Sequence, residues 1–275
     1  MKCLFFFPVL LLPLSTISGA AVVSDNFDTY PGTAGAGWTG GWTNTAGSAV
    51  ATSSTNPVNG GGSYLTGSAA YTGTIADQGI VRTLSTSVVN TALHYTVSWE
   101  VRFEDLGTFD TFGDRVHFSS TNSTSVASGQ TSSWLVGSVG ADRTSAGNWY
   151  FYNNSTPSTN GNFNNADLVN TGIALVEGHT YSFLITVDPS TRTYDATVTD
   201  LDTATPFSRT GLNFRNQGAN VSYQNFVFGT PVPNAAGHTR EFSFDSLEIN
   251  GVPEPSLSLL AVVGILPLLR RRRAR

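Results

Sequence analysis

The chain has 275 residues, with 14 basic against 19 acidic side chains, four His, one Cys, one Met, 28 Gly and 12 Pro. One Cys excludes a disulfide framework and a multi-cysteine metal site, and few Lys, Glu, Gln or Met argue against a helical bundle. The sole Lys, Lys2, and five of the 13 Arg lie at the two ends, leaving eight basic residues against 19 acidic ones between them; such a body disfavours nucleic acid, whose phosphates need clustered Lys and Arg.

Residues 1–21 read as a secretory signal peptide. Lys2 precedes the apolar run Leu4 to Leu12, and the small residues Ser18-Gly19-Ala20 supply a cleavage site. Cleavage near Ala20 or Ala21 removes Cys3.

From 22 to 250 the pattern is strand alternation, with no helical period of useful length. In 93–104, Leu93, Tyr95, Val97, Trp99, Val101 and Phe103 fall on one face. His94, Thr96, Ser98, Glu100, Arg102 and Glu104 fall on the other. That predicts a long strand with one face in a core and one toward water. Runs at 181–187 and 194–198 flank Asp188-Pro189-Ser190-Thr191, where Asp caps and Pro presets φ for a hairpin turn. Further strands are expected at 79–84, 114–119, 133–139, 147–152, 221–228 and 239–249. In the last, Phe242 and Phe244 share one parity and Leu247 and Ile249 the other. Either a bulge sits near Asp245 and Ser246 or the buried face switches. The Asn-rich stretch 153–165 reads as an exposed loop. About a dozen strands without helices predict an all-β, two-sheet antiparallel jelly-roll sandwich.

The C-terminal tract 251–275 has three parts. Val252-Pro253-Glu254-Pro255 is held extended by its prolines. Leu257 to Leu269 is an apolar run, about 20 Å long as a helix against a hydrocarbon core of roughly 30 Å. Arg270, Arg271, Arg272 and Arg273 form a positive stop, which keeps that end cytoplasmic. In order and placement this tract resembles a PEP-CTERM sorting signal. The resemblance implies recognition by an exosortase after export through the secretion machinery, with the short helix as a transient inner-membrane anchor. It further implies cleavage near the motif and release to the cell surface or an exopolysaccharide matrix of a Gram-negative-type bacterium.

The body is similar, more weakly, to concanavalin A-like, laminin G-type sandwiches. The similarity rests on Asp25-Asn26-Phe27-Asp28, Gly37-Trp38, Gly41-Trp42 and the run Phe242 to Ile249. It implies that the first and last strands pair in one sheet. In related sandwiches an Asp near the last strand's slip binds Ca²⁺, so Asp245 is the expected ligand, with Asp25 and the Asn59-Gly60-Gly61-Gly62 loop as partners. Calcium takes six to eight oxygens, and Asp245 could instead bond local backbone amides.

A glycosidase on such a fold needs two carboxyl groups roughly 5–9.5 Å apart. Glu100 and Glu104 share a face but stand about 13 Å apart at strand rise, with Arg102 where sandwich glycosidases similar to laminarinases carry an Asp. That favours a non-enzymatic body over a hydrolase. A lyase would need a cluster of His, Tyr, Arg or Asn; His94 and His117 lie on strands whose polar residues could share one surface. Trp149-Tyr150-Phe151-Tyr152 puts aromatics on both faces of one strand. Either both faces are covered, or Tyr150 and Tyr152 line a glycan-binding groove, since their hydroxyls tolerate water. Trp38 and Trp42 are expected to pin the N-terminal segment to the sandwich. The expected function is therefore a displayed, non-enzymatic sandwich that binds glycan, with a polysaccharide hydrolase or lyase as the alternative.

Overall fold

The computed structural model describes residues 22–25, 27–28, 37–44, 48–58, 60–70, 78–85, 88–107, 109, 115–122, 132–140, 147–154, 165–217, 223–230 and 239–251. The signal segment, the sorting motif Val252 to Pro255, the Arg270 to Arg273 stop, Asn59 and most of the Asn-rich stretch lie outside them. The strands, in chain order, are β1 (Val22–Asp25), β2 (Trp38–Asn44), β3 (Ser48–Ser53), β4 (Tyr64–Ala70), β5 (Gly79–Leu84), β6 (Tyr95–Asp105), β7 (Arg115–Thr121) and β8 (Ser132–Val139). They continue with β9 (Asn148–Tyr152), β10 (Leu168–Ala174), β11 (Thr180–Asp188), β12 (Thr193–Asp200), β13 (Thr205–Asn213), β14 (Asn225–Gly229) and β15 (Thr239–Gly251).

Sheet A has the order β13-β12-β11-β6-β15-β4-β3, with β1 also on β15; sheet B has the order β10-β9-β8-β7-β14-β5-β2. The described residues therefore form an all-β, two-sheet antiparallel sandwich with no α-helix. The first and last strands pair, with Val22 opposite Asn250 and Asp25 opposite Leu247.

The β6 alternation translates directly into packing. Tyr95, Val97, Trp99, Val101 and Phe103 are all buried. Trp99 stacks on Phe183 of β11 at 4.9 Å and reaches across the sandwich to Trp134 of β8 at 5.6 Å. Phe118 and Phe228 of sheet B stack at 4.4 Å, and Phe228 meets Phe242 of sheet A edge-on at 4.3 Å. Each such fully buried ring contributes on the order of 1.5–3 kcal/mol. Leu93 departs from the expected pattern: it precedes the strand and is 43% exposed. Arg102, expected toward water, is buried because residues 56–57 lie over it, their carbonyls accepting its guanidinium at 2.7 and 3.2 Å.

The phase slip in β15 is a bulge. Asp245 opposes Glu100 and Glu248 opposes Ser98, so β15 carries one extra residue, and Ser246 sits at φ 55°. Phe242, Phe244, Leu247 and Ile249 thereby share one core. The bulge lies where β15 changes partner along one edge: Phe244 pairs with Leu65 of β4, and Leu247 with Asp25 of β1.

Trp38 and Trp42 lie on strand β2, four residues apart and so on one face, and both are buried; the pairing with β5 shifts register between Thr39 and Thr43. The β11–β12 hairpin forms as expected: Asp188 Oδ1 accepts the amides of Ser190 at 2.9 Å and Thr191 at 3.2 Å. Burial pushes this carboxyl up, but the Ser190 and Thr191 hydrogen bonds outweigh it and hold the pKa at about 2. A depressed carboxylate contributes stability above its unfolded pKa, near 4, that is lost as pH falls through about 2. Asp188→Ala should therefore cost about 1 kcal/mol near pH 5, discounted because the group is 26% exposed. In urea unfolding that difference should close near pH 2; a pH-independent loss would remove the charge from the account.

Candidate functional site

Two constellations emerge, one where β1, β4 and β15 meet and one on the outer face of sheet B.

At the first, the bulge brings Asp245 into range of the N-terminal segment. Its Oδ1 accepts the amide of Ser246 at 2.7 Å. Burial, followed by the nearby charges of Asp28 and Asp25, pushes its carboxyl up to about 6. Asp28 Oδ1 in turn accepts the amide of Ser63 at 2.8 Å and lies against Gly62, so this carboxylate touches the Gly-rich loop. Gly60 sits there at φ 63°, exposed. Asp25 is placed nearby but is already engaged: it pairs with Arg82, whose side chain is fully buried and lies 4.6 Å over Trp38. Asp25 is thus an ion-pair partner rather than the metal ligand expected from the sequence. Asp28, on the same Asp25-Asn26-Phe27-Asp28 segment, acts on Asp245 more strongly than Asp25 does. Asp28 and Asp25 both place negative charge beside Asp245, and hard oxygen donors of this kind suit Ca²⁺.

The second constellation follows from strand register. On β7, Val116 and Phe118 face the core, which leaves Arg115, His117 and Ser119 on the outer face. One cross-strand row reads Gly79, Gly229, His117, Gly137, Tyr150 and Asn170 across β5, β14, β7, β8, β9 and β10. Glycine inside a strand marks a close approach, and here the reason is visible. A Cβ on Gly229 would fall 2.1 Å from His117 Cε1, and one on Gly137 would fall 2.9 Å from the Tyr150 hydroxyl. The imidazole and the phenol therefore lie flat along the row, each over a neighbouring glycine.

These side chains are enclosed. Tyr150 and Tyr152 are buried with Leu135 and Val139 in a small second cluster, and His117 is 4% exposed. Both faces of β9 are covered, which overturns the expectation of an open tyrosine groove. Arg215, on the segment after β13, is brought here by main-chain bonds: its amide donates to the Ser133 carbonyl at 2.8 Å, and Asn154 Nδ2 donates to its carbonyl at 2.9 Å. That bond also buries Asn154, at the start of the stretch read as an exposed loop. The Arg215 guanidinium stands 5.4 Å over the Tyr152 ring, and burial pulls its pKa down to about 10, still cationic at neutral pH. Tyr152 donates to Asp167 Oδ2 at 3.1 Å. Burial, then the charges of Arg115 and Arg215, hold His117 far below the usual imidazole value, so the ring is neutral at pH 7. Its Nε2 is buried without a protein hydrogen-bond partner, an arrangement that costs about 1–3 kcal/mol if left so.

His94 does not join His117. It precedes β6 in sheet A, is 45% exposed and meets Asp188 at 3.0 Å. Glu104, one of the two carboxylates weighed and set aside as a glycosidase pair, is tied by Arg102 at 2.7 Å and Ser243 at 2.6 Å. A third group, His179, Asp200 and Asp202, has donor atoms within 4.8 Å of one another. Three of its four carboxylate oxygens already accept hydrogen bonds, from His179, from the 202–203 amides and from the Thr180 amide. It closes the β12–β13 turn onto the start of β11.

Solved structures place the fold. Over 91% of this chain and 96% of the other, it superposes on a protein of unknown function from Shewanella oneidensis MR-1 with a TM-score of 0.52 at 11% identity. Looser likenesses are a GH131 β-glucanase catalytic domain from Podospora anserina and a seed lectin of Lotus tetragonolobus. The first has a TM-score of 0.46 at 11% identity over 74% of this chain and 80% of that one. The second has 0.41 at 11% identity over 85% of this chain and 100% of the lectin. No family model and no curated protein matches the sequence. At these identities the likeness speaks for the sandwich fold alone.

The arginines of the outer-face site were not among the residues singled out from the sequence. The readable signal was Gly137 and Gly229 inside strands. Which side chains those glycines admit depends on register, which the sequence does not print.

Proposed function

We propose that the chain is an exported surface or matrix protein whose sandwich binds glycan without catalysis. Sorting rests on the order of the terminal tracts: a signal segment before the body, then the Val252 to Pro255 motif, an apolar run and Arg270 to Arg273. An exosortase, acting after inner-membrane anchoring, would release the body to the cell surface or an exopolysaccharide matrix. Glycan binding rests on the resemblance of the Asp25 to Asp28 and Phe242 to Ile249 segments to concanavalin A-like sandwiches, supported by the two-sheet antiparallel architecture in which the first and last strands pair. Asp245 and Asp28, with loop carbonyls, would hold a Ca²⁺ that joins the N-terminal segment to the Gly-rich loop.

A second reading, a lyase acting on uronate polymers, is favoured by the neutral His117 beside Tyr150 and two arginines. In that chemistry a neutral base removes the proton next to the sugar carboxylate.

Deleting 252–275 should send the protein into the medium; continued association with cells would defeat the sorting proposal. A glycan array on the secreted form should show binding without new reducing ends. Release of reducing ends, or of unsaturated, ultraviolet-absorbing products, would replace the binding reading by the enzymatic one.

A further inference from the structure

An open sheet ends in strands whose outward amides and carbonyls lack a strand partner, and folds blunt such edges with bulges, charge, proline or short length. Among the described residues the edges are β13 and β3 in sheet A, the short β1 beside β15, and β10 and β2 in sheet B. All but one carry such a device. β13 has Pro206 and Arg209, and its register on β12 shifts between Tyr194 and Ala196. β10 shifts register on β9 between Asn170 and Ala174, around Gly172 at φ 73°. β2 shifts on β5 between Thr39 and Thr43, around Gly40 at φ 83°. β1 has four residues and ends at Asp25, which pairs with Arg82.

β3 is the exception. Ser48-Ala49-Val50-Ala51-Thr52-Ser53 holds no charge, no proline and no glycine. It pairs with β4 in unbroken register, from Ser48 opposite Ala69 to Ser53 opposite Tyr64. Among the described residues no strand pairs with its other side. Ala49 and Ala51 are exposed, and Val50, which packs on the main core, is only partly buried. An antiparallel partner would meet the outward amides and carbonyls and cover Val50 at the lip of the sandwich. The small, uncharged side chains of β3 select no foreign strand by pocket or charge. What this edge offers is main-chain pairing, and a second β3 supplies that in matching length. A strand paired antiparallel with its own copy makes a closed two-fold contact, in which one patch serves both chains. Core side must meet core side, so the axis passes through a residue rather than between two, at Val50 or Ala51. Charge points to the same place. Between its two ends the chain has eight basic residues against 19 acidic ones, so two copies repel least where an uncharged strip meets its like.

We propose that two copies of this chain associate through β3, antiparallel about Val50 or Ala51, so that sheet A runs unbroken from one sandwich into the next. One strand pair makes a narrow contact, below the roughly 1,200 Å² of a stable interface, so the dimer is reversible, with a dissociation constant in the micromolar range. The inference stands apart from both glycan binding and sorting.

The test joins sedimentation to site-directed cross-linking. Sedimentation of residues 21–254, which form one compact unit, should show a monomer–dimer equilibrium at micromolar concentrations. Ala51→Glu and Ala49→Glu, which set like charges about the axis, should each weaken it at least tenfold, and their unfolding midpoints show that they are folded. Cross-linking uses the full chain in cells with Cys3→Ser, so that an introduced thiol is the only one. A short bismaleimide should join Ala51→Cys to its own copy. Ser208→Cys, also exposed but on the opposite edge β13, should stay unlinked. A monomer at every concentration overturns the proposal. So does a dimer that both charged variants leave intact, or one that Ser208→Cys links as readily. Species larger than a dimer overturn the closed two-fold contact. Linkage of Ala51→Cys only to a different protein gives the edge to a foreign strand and overturns self-pairing.

Discussion

Arg82→Ala should lower the unfolding free energy by about 3–5 kcal/mol at neutral pH, because it strands a buried carboxylate. Arg82 is fully buried at the side chain and Asp25 is 7% exposed, so water cannot replace the lost partner. The guanidinium does more than neutralise charge. Its Nε donates to the Gly40 carbonyl at 3.1 Å, and its plane lies 4.6 Å over Trp38. One side chain thus ties β1, β2 and β5, which span both sheets. Burial already pushes the Asp25 carboxyl above its ordinary range, with Arg82 pulling the other way. Without Arg82 it should bind a proton more readily still. The penalty should therefore shrink as pH falls toward 5, since protonation removes the stranded charge. Urea unfolding of the wild type and Arg82→Ala at pH 5 and 7.5 reads both effects. Adding Asp25→Asn to an Arg82→Met background should recover part of the loss, as an uncharged pair of similar volume leaves no buried ion. A loss below about 1 kcal/mol at pH 7.5 would show that the pair carries little of the N-terminal docking.

Calcium should raise the unfolding midpoint by about 5–10 °C when present at roughly one hundred times its Kd, the gain expected from mass action on a body of this size. The physical reason is the carboxylate cluster at the β15 bulge. Asp245 and Asp28 repel each other in a partly desolvated site. A divalent cation there replaces that repulsion by attraction, and it favours the folded state alone because the cluster exists only when β1, β4 and β15 are docked. EDTA should reverse the gain. Asp245→Asn and Asp28→Asn should each abolish most of it, whereas Glu248→Gln, exposed on the same strand, should leave it intact. Equal midpoints with Ca²⁺ and with EDTA would leave Asp245 as a bulge-capping group that bonds the Ser246 amide.

The same bulge shows how far the amino-acid sequence reaches. Alternation within a strand is a local property, since consecutive side chains must point to opposite faces. The buried faces of β6, β11 and β12 were therefore legible, and so was the slip between Phe244 and Leu247. The Asp188 turn was legible for the same reason, as its hydrogen bonds span three residues. The weakly alternating strands β2, β3, β4, β10 and β13, rich in Gly, Thr, Ser and Asn, were not recognised as strands. Their place is set by neighbours in the sheet rather than by their own pattern.

What joins residues far apart was decided by the tertiary structure. Periodicity assigned Tyr150 and Tyr152 to one face but could not say whether that face was covered. The structure covers it, because the segment after β13 carries Arg215 over Tyr152. Composition separated the lone Lys and five arginines at the two ends from a strongly acidic body. It could not show that two of the body's few arginines converge on His117, or that Asp25 belongs to Arg82 while Asp28 faces Asp245. Charge count is a sum over the chain and survives any rearrangement of it. Charge placement depends on strand order and register, which arise only when the two sheets close on a common core.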